Sequence, residues 1–239
     1  ELVEYLFNQN ADTDLYEKYY KSPDQVNITF PEEKRNLIYI MLESMETSYL
    51  AKEQGGAMEE NLIPELYDLA EANLCFSNSA SKVGGFHTTK GATWTIGSMV
   101  AQTAGIPLKT PTEDVNQYGA SGEDFLPGVT TLTDILHDAG YIQALMVGSD
   151  VRFGGRKVYF EQHGMDAIYD LYTARKDGII PKNYFVWWGM EDLHLFRYAK
   201  EKITELAQAD APFAFTMLTV DTHHVGGYQC ELCEESKSG

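Results

Sequence analysis

Three stretches of this sequence run from apolar residues into groups that can hold a cation or a phosphate. Leu37-Ile-Tyr-Ile-Met-Leu42 leads into Glu43-Ser44-Met45-Glu46, and Tyr141 to Val147 leads into Gly148-Ser149-Asp150. Phe213 to Val220 leads into Asp221-Thr222-His223-His224. Carboxylate oxygens are hard donors and imidazole nitrogens borderline ones, so their convergence at one sheet edge would suit a divalent cation or a phosphate. Singly, such residues more often just end a strand. A fourth stretch, Thr93-Trp94-Thr95, opens a helical pattern. A hydroxyl there lies at the positive end of the helix dipole, among unpaired backbone N–H groups. That setting favours an alkoxide attacking phosphorus, with a metal beside it. Threonine is also a favoured N-cap, so spacing alone leaves both roles open.

These residues need elements to hold them. The short, near-continuous apolar runs at 37–42, 141–147 and 213–220 predict buried, parallel neighbouring strands. Helices are predicted from about Ile63 to Leu74, from Ile96 to Ala104 and through Thr131–Gly140, with a Gly closing the last. Arg156 to His163 reads as a short helix closed by Gly164. Glu191 to Ala209 reads as the strongest, with a stripe of Leu193, Phe196, Ala199, Ile203 and Leu206. Strand and helix alternate, which predicts an α/β fold: a mainly parallel central sheet with helices on both faces. In such sheets ligands gather beyond the carboxyl ends of the strands. Residues 1–26 read as a polar lead-in, one short helix broken at Ser22-Pro23-Asp24. The remainder, 27–239, reads as one domain.

The 239 residues carry 36 Asp and Glu against 18 Lys and Arg, a net charge of −18. That balance argues against nucleic acid as a partner and against unaided docking on an anionic membrane. No apolar run approaches the ~18 residues of a membrane span, and no basic leader opens the chain. Of the 3 cysteines, Cys230 and Cys233 form a C-x-x-C, read as a local disulfide or a solvated pair before a zinc site. Trp187 and Trp188 could stack on a sugar or glycerol group, although paired aromatics between elements are more often core. His163 and His194 read as structural or exposed, and His87 and Glu46 as solvated.

Four blocks resemble the lipoteichoic acid synthase and phosphoglycerol transferase family, of the sulfatase and alkaline phosphatase-like superfamily. They are Leu42–Thr47, Gly91–Leu108, Gly148–Arg156 and Leu218–His224. The resemblance covers roughly Asn27 to the end and implies an alkaline phosphatase/sulfatase-like fold. It implies transfer of glycerol phosphate from a phosphatidylglycerol-type lipid to a glycan or polyol acceptor, through a phospho-threonine intermediate. The implied cofactor is a divalent metal, manganese before magnesium or zinc. Carried over, Glu43 matches a metal ligand, and Thr95 matches the nucleophile and a second ligand. Arg156 matches the phosphate grip and His223 a substrate-binding imidazole; Thr93 is the next nucleophile in line. Gly154 stands where such synthases carry an aromatic residue.

The family completes its metal site with a later Gly-Asp-His pattern that has no match after His224. The resemblance therefore implies the first two-thirds of a catalytic ectodomain, its C-terminal part missing, which alone would bind metal weakly. It implies the outer face of the cell membrane, reached through segments outside this chain. Phosphoethanolamine transfer and phosphodiesterase- or sulfatase-like hydrolysis stay open on the same fold, as does a non-catalytic ectodomain that binds glycolipid. The C/S-x-P-x-R pattern of formylglycine sulfatases is absent.

Overall fold

The computed structural model describes residues 18–77, 83–110 and 124–230. Cys233 and the first 17 residues lie outside that description. Four parallel strands form one sheet in the order β1-β4-β2-β3. They are β1 (Leu37–Met41), β2 (Ile142–Val147), β3 (Ala167–Tyr169) and β4 (Phe213–Leu218). The helices are α1 (Pro64–Ala72), α2 (Thr95–Ala104), α3 (Leu132–Asp138), α4 (Arg156–Gln162), α5 (Leu171–Lys176) and α6 (Asp192–Leu206).

The sheet is covered on both faces, as the continuous apolar strands require. Met41, Leu145, Val147 and Leu218 pack with Met99 and Val100 of α2 and Tyr159 and Phe160 of α4. Ala144, Met146, Phe213, Phe215 and Met217 pack with Leu171 of α5 and Leu195 and Tyr198 of α6. β4 is central and buried at every position. β1 departs from the expectation of burial. It is an edge strand, and Ile38 and Ile40 are 49% and 41% exposed, because among the described residues no helix covers that face of the edge.

The predicted stripe of α6 holds at Ala199, Ile203 and Leu206, which pack in or against the core, and is displaced in the first half of the helix. Leu195, Tyr198 and Ala199 are buried, whereas Phe196 is 41% exposed. The sheet takes the face bearing Tyr198, whose hydroxyl donates to Asp177 Oδ2 at 2.6 Å and so can be buried with its ring. β3 and α5 had no counterpart in the sequence reading. α5 is set by a capping box in which Asp170 accepts from the N–H groups of Tyr172 and Thr173, and Thr173 Oγ1 accepts from Asp170 N.

Candidate active site

The carboxyl ends of β1, β2 and β4 open onto one cavity of about 490 Å3. Glu43, Thr95, Arg156 and His223 all line it. Glu43 follows β1, and three bonds fasten that chain end to the end of β4. Thr219 N donates to Met41 O at 3.1 Å, Glu43 N donates to Thr219 Oγ1 at 2.9 Å, and Thr222 Oγ1 donates to Glu43 O. Ser44 then takes a left-handed φ of 51°, a conformation that costs a non-glycine residue about 1 kcal/mol. Its hydroxyl donates to Glu43 Oε1 at 3.0 Å.

Thr95 is the first residue of α2, and the N-cap is Trp94, which offers no side-chain cap. The Thr95 hydroxyl is thus not a cap. It donates to Glu43 Oε2 at 3.0 Å, across 52 positions of sequence. Gly97 lets the first turn sit close, since a Cβ there would lie 2.7 Å from Gly91 O. Thr93 is exposed and lines an adjoining cavity of about 560 Å3 that shares Glu43 and Thr95 with the first.

Arg156 begins α4 after two glycines in the left-handed region, Gly154 (φ 69°) and Gly155 (φ 71°). Its side chain is buried. Nε donates to Phe153 O at 2.8 Å, and Nη2 donates to Ser149 Oγ at 3.0 Å and to Asp150 O at 2.8 Å. Burial pushes its pKa down to about 10, partly offset by Asp150, Glu43 and Asp170. The guanidinium therefore stays charged at neutral pH, held by neutral acceptors at the cavity wall.

His223 is half-buried; its Nδ1 faces the His224 carbonyl, and its ring lies against Trp188 with centroids 4.6 Å apart. Trp187 and Trp188 correct the core reading: each is 37% exposed, and Trp188 lines the cavity. The signal that could have found them is the adjacent Gly189, which marks a turn, not a buried strand.

Two of the strand-end acids do not join the site. Asp150 is gripped by Arg152 through Nε (2.9 Å) and Nη2 (2.6 Å), and that hydrogen bonding holds its carboxyl below the usual range. Asp221 latches to the start of α6. Its Oδ1 accepts from Asp192 N at 3.1 Å, while the Asp192 carboxylate accepts from Val220 N (2.8 Å) and Asp221 N (3.1 Å). Burial, then the neighbouring Asp192 charge, pushes Asp221 up to about 6. His163 is structural, with Nδ1 2.8 Å from Asp134 Oδ2; His87 and Glu46 are exposed.

Among the described residues, no group of three or more His, Cys, Asp or Glu gathers for a metal. Glu43 and Thr95 still supply two hard oxygens 3.0 Å apart. Adjacent ligands of a small octahedral cation, each ~2.0–2.1 Å from it, lie about 2.9 Å from one another. The pair thus fits two neighbouring coordination positions.

A carboxylate, a hydroxyl at a helix N-terminus, a buried arginine and an imidazole thus line one cavity beyond the carboxyl ends of a parallel sheet. A profile of the sulfatase family matches residues 35–238. The chain belongs to the sulfatase family, within the alkaline phosphatase superfamily. It is 34% identical over 206 residues to phosphoglycerol transferase I of Xanthomonas campestris pv. campestris, an alignment covering 86% of this chain and 28% of that protein. It is 33% identical over 238 residues to phosphoglycerol transferase I of Escherichia coli O6:K15:H31, covering 99% of this chain and 29% of that protein. The chain thus spans under a third of the length of these curated relatives.

Two solved structures share the fold. An alkaline phosphatase superfamily protein from Vibrio parahaemolyticus aligns with a TM-score of 0.64 at 22% identity, covering 88% of this chain and 46% of that one. The lipoteichoic acid synthase LtaP from Listeria monocytogenes aligns with 0.61 at 16% identity, covering 86% and 46%.

Proposed function

We propose that this chain carries the nucleophile half of a metal-dependent phosphoglycerol transferase. In this reading residues 27–239 are part of a catalytic domain, and 1–26 lead into it. The observation that carries the reading is the 3.0 Å bond from Thr95 Oγ1 to Glu43 Oε2, on a cavity that Arg156 and His223 also line. Thr95 Oγ attacks the phosphorus of a phosphatidylglycerol-type donor. The Oγ–P bond forms, the bond from phosphorus to the diacylglycerol oxygen breaks, and the hydroxyl proton ends on the released diacylglycerol. A hydroxyl of a glycan or polyol acceptor then attacks the same phosphorus; the acceptor O–P bond forms, the Thr95 Oγ–P bond breaks, and the acceptor's proton ends on Thr95 Oγ. Arg156 holds the anionic oxygens, His223 hydrogen-bonds the phosphoglycerol, and the uncapped first turn of α2 adds its N–H dipoles. Glu43 and Thr95 would hold a divalent cation, manganese first, with further ligands from outside the described residues. Such a cation, when bound, lowers the Thr95 hydroxyl pKa and neutralises phosphate charge.

Among the described residues no helix is long and apolar enough to cross a membrane. In this reading a lipid donor is reached through segments outside this chain, with the domain on the outer face of the membrane. The net charge of −18 supports that tethering, because anionic lipid repels the domain itself. The test is Thr95→Ala and Thr95→Ser in the natural full-length protein, assayed for diacylglycerol release. The Ala variant should lose transfer with its fold intact, and the Ser variant should keep a measurable fraction. Wild-type turnover in the Ala variant would move the nucleophile elsewhere, with Thr93 next.

A further inference from the structure

Trp187 and Trp188 form the tip of a two-residue hairpin closed by Val186 and Gly189, whose backbones exchange hydrogen bonds of 2.9 and 2.8 Å. Trp187 adopts a left-handed φ of 55°. The hairpin is pressed onto the end of β2, where Met190 N donates to Gly148 O at 2.8 Å. Two glycines permit that approach. A Cβ on Gly148 would lie 2.4 Å from Met190 O, and one on Gly189 would lie 2.5 Å from Gly148 O. The result is one indole fixed over the cavity while still 37% exposed. Its ring centroid is 4.6 Å from that of His223, tilted 48°, and 5.7 Å from that of Phe153, tilted 53°. The Arg156 guanidinium lies 5.7 Å from the same Phe153 ring. With Nδ1 of His223 facing the His224 carbonyl, Nε2 is the imidazole nitrogen that remains for a ligand.

We propose that Trp188 is a positioning and selectivity residue: it holds the His223 imidazole and, with Phe153, walls the cavity against the organic side of a phosphate ester. This inference deepens the function proposed above and rests on it. The polar side of the cavity would take any phosphate, because Arg156 and the start of α2 respond only to negative charge. The aromatic side discriminates. The C–H faces of a small polyol ester pack against indole and phenyl rings, whereas inorganic phosphate has nothing to place there. Three separate segments supply Phe153, Trp188 and His223, and the wall adjoins the grip on phosphate, since the Phe153 carbonyl also accepts from Arg156 Nε at 2.8 Å.

The experiment titrates the natural full-length protein in manganese buffer with glycerol 1-phosphate and with inorganic phosphate, by calorimetry. Wild type, Trp188→Ala and Trp188→Phe are compared. The preference for the ester should fall about three- to tenfold in the Ala variant, with inorganic phosphate affinity within about twofold of wild type, and the Phe variant should recover much of the preference. Diethyl pyrocarbonate, followed by peptide mass spectrometry, should modify His223 several-fold faster in the Ala variant. An unchanged preference in Trp188→Ala overturns the inference while leaving the phosphate site standing. Failure of wild type to bind either anion overturns the phosphate-site reading, and this inference with it. Equal loss of both ligands in the Ala variant would make Trp188 a structural strut and also overturn the inference.

Discussion

Replacing Arg156 with methionine separates holding the fold from holding a phosphate. The arginine is 5% exposed, and burial depresses its pKa from 12.5 to about 10. A base disfavoured in its charged form makes the folded state pay at every pH below its folded pKa; here that cost is about 3 kcal/mol. Three hydrogen bonds oppose it, to Phe153 O, Ser149 Oγ and Asp150 O. At ~1 kcal/mol net each, they contribute about 3 kcal/mol. The two nearly cancel, and methionine fills much of the same channel. Arg156→Met should therefore unfold in urea within about 1–2 kcal/mol of wild type. Affinity for a phosphate ester should fall far more, since two charge-assisted bonds of ~1.5–3 kcal/mol each are removed, at least about a hundredfold. Urea melts and calorimetric titration measure the two quantities. A loss above about 4 kcal/mol of stability with unchanged anion affinity would make Arg156 a structural strut and refute the reasoning.

Asp221 is pushed up to about 6, above the ordinary 3.8, so its ionisation opposes folding; the penalty is absent below about pH 4, grows between about pH 4 and 6, and is complete above 6. The side chain is partly solvated, so after screening Asp221→Asn should be stabler than wild type by about 1 kcal/mol at pH 7.5 and equal near pH 4, read from urea midpoints at the two pH values. Gly189→Ala places a Cβ 2.5 Å from Gly148 O at a φ of 151°, which should displace the hairpin; destabilisation should come with faster chemical modification of His223.

Much of this arrangement was legible in the sequence, because the apolar runs of a covered parallel sheet are unambiguous. The runs at 37–42, 141–147 and 213–220 became β1, β2 and β4, and the glycines at 140 and 164 stand in the left-handed region just past the helices they were expected to close. The exposed face of β1 was not legible, since strand order decides which apolar run lies at an edge. The stripe of α6 was read correctly at Ala199, Ile203 and Leu206 but missed Tyr198, because a buried tyrosine with a partner for its hydroxyl counts as polar in a stripe. β3, with only three residues, is too short to show a period. At the site, residue types were readable but their allegiances were not. Asp150 and Asp221 look like ligands in sequence, yet Arg152 and the start of α6 claim them. Trp188 looks like core until the hairpin at Gly189 turns it toward His223.

In the proposed reaction Thr95 becomes covalently phosphorylated in turnover. The natural full-length protein, incubated with manganese and a phosphatidylglycerol-type donor and quenched in acid without acceptor, can be digested and its peptides weighed and sequenced. One phosphoglyceryl group is expected on Thr95, absent from Glu43→Gln and removed by added acceptor. A modified Thr93, or transfer to acceptor with no modified threonine at any time, would contradict it.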